Sequence, residues 1–255
     1  MKIIALTGAG GNVGRAVLKG LREAGYEVIS CVRNPRGNPE ERILDLQDIN
    51  SCLHCFQNAD VIVHMAYFTD PRREAFLPDG LSTNIAGMYN LYEAARLCGV
   101  RRVIFSSSLH VFGFYPADAD VNDSAEYRPD SLYGLCKCWG ELIGRYYSDR
   151  YGISCFNLRI GHCRGDREYD TSGTREYRQW ISNRDLVQLI TKCIEAHESF
   201  LYRCYPAVSD NEDLWSLKNV RDELGYTPED NGKNLIRPDT RQNDNNWKGG
   251  HFTQY

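Results

Sequence analysis

The sequence predicts an α/β fold: a doubly wound parallel sheet with a small C-terminal cap. Short apolar runs alternate with helical patterns through the first two thirds of the chain, a glycine cluster joins the first run to the first helix, and the pattern breaks into polar sequence after Gly161. The 255 residues, 42% hydrophobic and 25% charged, suffice for one sizeable core, so a single domain over residues 1–255 is expected.

Taken in order, Ile3–Leu6 reads as the first buried strand and Val13–Ala24 as its covering helix. Val28–Val32 follows as a strand, Ile49–Phe56 as a helix and Val61–Ala66 as a further strand. A helical pattern over Leu81–Leu97 leads into the strand Val103–Ser107, and another over Pro129–Asp149 leads into Ile153–Ile160, the last expected core strand. Parallel strands are buried on both faces, which is why each is followed by a crossover helix. Beyond Gly161, residues 164–177 are polar, with helices expected at about 183–196 and 214–224. Such segments lie past the carboxyl ends of the strands, where open α/β sheets bind ligands, so about residues 162–255 are expected to supply a substrate cap. The polar tail from Asn231 carries Trp247, Phe252 and Gly249-Gly250, and either stays loose or folds back.

A formal net charge of −4 provides no global attraction to polyphosphate or anionic lipid, which argues against nucleic-acid and membrane partners and for a small substrate. Met1-Lys2-Ile3-Ile4-Ala5-Leu6 runs directly into the glycine cluster, too short for the apolar region of a signal peptide, so a cytoplasmic protein is expected. The ten cysteines are scattered from Cys31 to Cys204 and read as reduced, mostly buried thiols. Cys52 and Cys55 flank His54, but no second pair at zinc spacing follows, so no metal is expected. The expected partners are a sugar-sized substrate and further copies of the same chain.

The cluster Thr7-Gly8-Ala9-Gly10-Gly11-Asn12-Val13-Gly14 sits at a strand-to-helix turn. Small residues there let the backbone approach a pyrophosphate, whose charge the helix N-terminus favours. The setting points to a Rossmann-like dinucleotide site on Gly8, Gly10, Gly11, Asn12, Val13 and Gly14. After the second strand comes Arg33 with no carboxylate beside it, which favours the 2′-phosphate of NADP over NAD; the plain alternative is a solvated surface arginine. Asp45-Leu46 would border the adenine, and Ala66, after His64-Met65, would allow backbone contact with the ribose, although either position could be plain packing.

Tyr133-Gly134-Leu135-Cys136-Lys137 lies in a helical stretch, so the phenol and the ammonium project from one face. A neighbouring ammonium favours phenolate and would make the tyrosine a usable base near neutrality. In a chain with 16 tyrosines such spacing also arises by chance, and its company decides the matter. Phe105-Ser106-Ser107-Ser108 ends a strand, where a hydroxyl could hold a substrate oxygen, and Asn84 precedes that strand in a helix, where it could support a water path to Lys137.

In this order of elements the chain resembles the extended short-chain dehydrogenases, the sugar epimerase and dehydratase superfamily. The resemblance implies a catalytic set of Ser108, Tyr133 and Lys137, with Lys137 also holding the nicotinamide ribose and Ile160 bordering the cofactor. A closer likeness, through nearly the whole chain, is to uronate dehydrogenases and related sugar-phosphate dehydrogenases. It is carried by Asn84-Ile85-Ala86-Gly87-Met88-Tyr89-Asn90-Leu91, Gly113-Phe114-Tyr115-Pro116, Arg128-Pro129-Asp130-Ser131-Leu132-Tyr133-Gly134 and Leu224-Gly225-Tyr226-Thr227-Pro228. That likeness implies oxidation of an anomeric hydroxyl to a lactone, with substrate contacts at Thr69, Ser108, Leu109, His110, His162, Arg175 and Phe252. Arg175 would clamp a substrate anion, with Arg178 as the fallback. Leu109 and His162 depart from the subgroup, which resembles Asn and Ser at these positions, so the hydroxyls that the pocket satisfies must differ.

Overall fold

The computed structural model describes residues 1–35, 37–68, 78–165, 177–211, 214–235 and 247–249. Seven parallel strands form one sheet: β1 (Ile3–Thr7), β2 (Glu27–Val32), β3 (Glu41–Ile43), β4 (Val61–His64), β5 (Arg102–Ser108), β6 (Ser154–Ile160) and β7 (Tyr202–Ala207). Their order is β3-β2-β1-β4-β5-β6-β7, so the chain reverses direction across the sheet between β1 and β4. Ligand crevices of open α/β sheets open at such a reversal, outside the carboxyl ends of the strands.

The main helices among the described residues are α1 (Asn12–Glu23), α2 (Ile49–Phe56), α3 (Gly87–Leu97), α4 (Leu132–Tyr151), α5 (Asn183–Glu195) and α6 (Lys218–Leu224). Alternate residues of a strand face opposite sides, and here both sides are dry. Ile4, Leu6, Val61 and Val63 join Val17 and Leu21 of α1 and Leu186, Leu189 and Ile190 of α5 in one core. Ala5, Ile62 and Val103 join Phe56 of α2, Leu91 and Tyr92 of α3, and Ile143 and Tyr147 of α4 in the other. Each fully buried Leu or Ile contributes about 1.5–3 kcal/mol, which accounts for the near-continuous apolar strands.

Two strands are additions to the expected pattern. β3 is a three-residue polar strand, and β7 lies at the sheet edge with only its last three residues buried. Edge strands shed the apolar run that marks central strands, and they tolerate Pro206, which donates to no ladder. The pattern over 81–97 is interrupted too, because Ser82–Ala86 forms a π-helical turn before α3. The tail folds back: the Lys248 amide donates to Tyr115 O (2.9 Å) and the Gly249 amide to Gly113 O (2.8 Å). All ten cysteines are free thiols, buried except for Cys98, Cys163 and Cys204, which are partly exposed. No helix among the described residues is long and apolar enough to cross a membrane.

A buried ion pair fixes α4 to the sheet. Glu141 (0% exposed) accepts from Arg159 Nη2 at 2.8 Å and Nε at 3.1 Å, from the Tyr127 hydroxyl at 2.9 Å, and from the Ser107 hydroxyl. Arg159 also donates to Asp123 O (3.0 Å) and lies over the Phe112 ring. Both carboxylate oxygens and all three guanidinium nitrogens are thereby engaged.

Candidate active site

The turn between β1 and α1 is shaped by two close approaches. Gly8 has φ +69°, and a Cβ there would lie 2.7 Å from the Ala66 nitrogen. A Cβ on Gly14 would lie 2.0 Å from Gly8 O, so both positions demand glycine. Gly8, Gly10 and Gly11 border a groove of 810 Å³ that continues past Arg33, Asp45 and Ala66. Leu46 lines it as well, while Val13 packs on the core and Gly14 is buried. The Asn12 amide is tied to Arg164 O, which brings the loop after β6 onto the turn. Arg33 is exposed, with its guanidinium 5.9 Å from the Phe68 ring centroid. Asp45 uses one carboxylate oxygen to accept the Gln47 amide at 2.9 Å. The groove starts at the glycines that precede α1 and continues past Arg33, Asp45, Leu46 and Phe68, which fits a dinucleotide whose pyrophosphate lies at the turn.

At the end of β4, His64 is buried and its Nδ1 lies 2.7 Å from Thr7 Oγ1, which in turn accepts the Ala66 amide at 3.1 Å. Burial of His64 keeps the imidazole neutral. Burial, reinforced by the Lys137 charge, pulls the His64 pKa down to about 3.

The Ser131 hydroxyl caps α4 by accepting the Gly134 amide at 3.1 Å, and this starts the helix at Leu132 rather than at Pro129. Tyr133 and Lys137 then lie on its first turns. The Lys137 ammonium is 5.5 Å from the Tyr133 ring centroid, and the Ser108 hydroxyl is near enough to the Tyr133 phenol to ease its pKa downward. The structure therefore brings Ser108, Tyr133 and Lys137 together. Lys137 is 2% exposed, donates to Ser106 O at 2.7 Å and lies over the Tyr67 ring at 4.2 Å. Burial pulls its pKa down to about 7. Burial likewise pushes the Tyr133 phenol above its usual value, against the influence of the Ser108 hydroxyl and with the Asp130 charge adding to the rise. The expected lowering of the phenol pKa by Lys137 is therefore not the outcome here, because desolvation outweighs what favours phenolate.

Asn84 is buried in the π-helical turn, where its amide accepts from Phe68 N and donates to Phe68 O, both at 3.1 Å. It thus clamps the loop that carries Tyr67. Ile160 accepts from the Ser108 hydroxyl through its carbonyl at 3.5 Å. Leu109 belongs to the hydrophobic core. The His110 ring stands edge-on to Tyr133 with centroids 5.7 Å apart, and its Nδ1 lies 2.7 Å from Asp130 Oδ2. His162 accepts from Arg164 Nε through Nε2 at 2.8 Å. Thr69, Arg175 and Phe252 lie outside the described residues. Arg178 lines a small cavity of 30 Å³ with Trp215 and Arg221.

Tyr67 and Asp130 adjoin the candidate site, and sequence reasoning did not single them out. Tyr67 packs edge-on to Tyr133, with centroids 5.0 Å apart. Its signal was its place directly after Ala66 at the end of a core strand; for Asp130 it was a carboxylate two residues before the catalytic helix.

The sequence profile of the NAD dependent epimerase/dehydratase family matches residues 4–202. The uronate dehydrogenase of Pseudomonas putida is 35% identical over 90% of this chain and 85% of its own length. L-arabinose 1-dehydrogenase (NAD(P)(+)) of Haloferax volcanii is 33% identical over 92% of this chain and 100% of its own length. The crystal structure of a variant uronate dehydrogenase from Agrobacterium tumefaciens complexed with NAD superposes with a TM-score of 0.86, at 30% identity, covering 100% of this chain and 98% of that one. With the glycine turn, the parallel sheet and the Ser108, Tyr133 and Lys137 set in place, the chain belongs to the NAD dependent epimerase/dehydratase family.

Proposed function

We propose that the protein oxidises the anomeric hydroxyl of a sugar acid, or of a related sugar derivative, to a lactone. The observation that carries this reading is the meeting of Ser108, Tyr133 and Lys137 beside Tyr67, a residue that lines the groove. The glycine turn would hold the pyrophosphate of NAD(P), and Lys137, with ammonium protons beyond its bond to Ser106, would hold the nicotinamide ribose. When bound, the nicotinamide supplies the hydride acceptor. Ser108 and Tyr133 orient the hydroxyl to be oxidised, and Tyr133 takes its proton as the carbon–hydrogen bond gives up hydride and the carbonyl forms. The charge of Lys137 favours the phenolate that this step requires.

We favour NADP over NAD because Arg33 lines the groove just past β2 with no carboxylate beside it to repel a 2′-phosphate. The segments after β6 form the cap, with Arg175 clamping a substrate anion. Free thiols suit the reducing cytoplasm. Leu135, Leu142 and Tyr146 of α4 and Tyr89 and Leu97 of α3 are each roughly half exposed on two packed helices. Their i, i+4, i+7 and i+8 spacings place them along helix faces that suit two-fold pairing with a second copy. Light scattering should give a dimer or a multiple of it, and a monomer would refute the pairing.

The direct test of the activity is NAD(P) reduction with galacturonate, arabinose and glucose 6-phosphate, each with both cofactors. Stoichiometric reduction with at least one sugar is expected. Tightly retained cofactor with no net reduction would point instead to epimerase chemistry.

A further inference from the structure

Lys137 is a buried cation in aromatic surroundings. Its ammonium donates to a neutral acceptor, Ser106 O, at 2.7 Å, and among the described residues no carboxylate pairs with it. Asp130 and Glu141, the buried carboxylates nearest to it along the chain, are engaged with His110 and Arg159 instead. What the ammonium meets is three rings, with centroids at 4.2 Å for Tyr67, 5.0 Å for Phe105 and 5.5 Å for Tyr133. The nearest of them, Tyr67, also stands edge-on to Tyr133 with centroids 5.0 Å apart, so it touches both members of the Tyr133 and Lys137 pair.

Tyr67 is held on both sides along the chain. Before it, the Ala66 amide donates to Thr7 Oγ1 at 3.1 Å; after it, the Asn84 side chain accepts the Phe68 amide and donates to the Phe68 carbonyl, both at 3.1 Å. Phe105 is fixed as well: it stacks on His64 with centroids 5.9 Å apart, and a Cβ on Gly140 would fall 2.4 Å from its ring. The rings are thus set by β5 and the end of β4, not by α4 alone.

The face of an aromatic ring is negative and attracts a cation, the more so where water is excluded. We propose that Tyr67 is a positioning residue whose ring face serves as the counter-group of the Lys137 ammonium, keeping that charge beside Tyr133 where no carboxylate does so. The other titratable groups around the ammonium are His64 from β4 and Tyr133 and Cys136 from α4 itself. Burial holds each of them neutral, lowering His64 to about 3 and raising the phenol and the thiol, and it raises the Tyr67 phenol too. From β5 come Phe105 and Ser106, which do not titrate. None of these supplies a negative charge, so the ring face acts alone against the burial that brings Lys137 to about 7. The consequence for turnover rests on the sugar-oxidising reading above.

The Lys137 titration is read without turnover by NMR of the full-length, cofactor-free protein labelled with ¹³C-lysine, the signal being assigned by its loss in Lys137→Met. Tyr67→Phe keeps the ring face, and difluoro- and trifluorophenylalanine incorporated at the same position keep the bulk while draining the face of negative charge. A weaker face favours the ammonium less, so the Lys137 midpoint is expected to fall stepwise along this series, by about half a pH unit or more from phenylalanine to the trifluoro ring. A midpoint that stays put or rises would overturn the proposal, because the ring would then serve only to keep water away. In turnover on the best sugar, the pH above which the rate declines should move down in the same order, since Lys137 favours the phenolate only while it is charged. A stepwise NMR series without that movement would overturn the positioning role in the reaction. Absence of sugar oxidation by the wild type would defeat the functional reading, and the titration of the free protein would still decide whether the ring face holds the charge.

Discussion

Lys137 and Glu141 lie one turn apart on α4, and both are buried charges, yet their surroundings are opposite. Glu141 is met by a guanidinium and two hydroxyls. Lys137 has a backbone carbonyl and aromatic faces, and its pKa has fallen to about 7. A satisfied buried charge is inert and holds the helix in register, whereas one with donors to spare stays responsive to whatever enters the groove. The same helix thus anchors at Glu141 and keeps a responsive charge at Lys137.

The largest expected effect comes from breaking the satisfied charge. Glu141→Ala leaves Arg159 buried without its counter-ion and should cost about 3–5 kcal/mol, seen as a large drop in the urea midpoint. A loss below about 1 kcal/mol would mean that the pair is not the anchor. At the far end of the groove, Arg33→Ala should weaken NADP by about tenfold or more and NAD little, as measured by calorimetric titration. Equal losses would make Arg33 a general contact, and none at all would return it to the surface.

The smallest effect probes Lys137 itself. Its folded pKa lies below the unfolded value near 10.4, so between these values the unfolded chain binds more protons and stability rises with pH. Lys137→Met removes this dependence. In the cofactor-free protein the variant should be the more stable at pH 6, with its advantage shrinking by about 1 kcal/mol by pH 8. A constant difference would show that Lys137 stays charged throughout that range.

Sequence reasoning reached the central sheet because β1, β4, β5 and β6 are buried on both faces and each carries an apolar run. It missed β3 and β7, which are short or at an edge and carry mixed residues. At the site, the glycine turn and the Tyr133–Lys137 spacing are local and therefore legible. Asp130 and Tyr67 act through contacts with residues distant in the chain, and no periodicity marks them. The sign of the Tyr133 shift was misjudged because burial, a property of the folded pocket, outweighs what favours phenolate.

The central claim is that Tyr133, supported by Lys137 and Ser108, removes the proton of a sugar hydroxyl. Its most direct test is Tyr133→Phe, with cofactor affinity and single-turnover NAD(P) reduction measured on the best sugar. Cofactor affinity should stay within about threefold, while turnover falls by at least ~10²-fold, the usual scale for losing a positioned general base. Turnover close to that of the wild type, with the cofactor bound normally, would contradict the assignment.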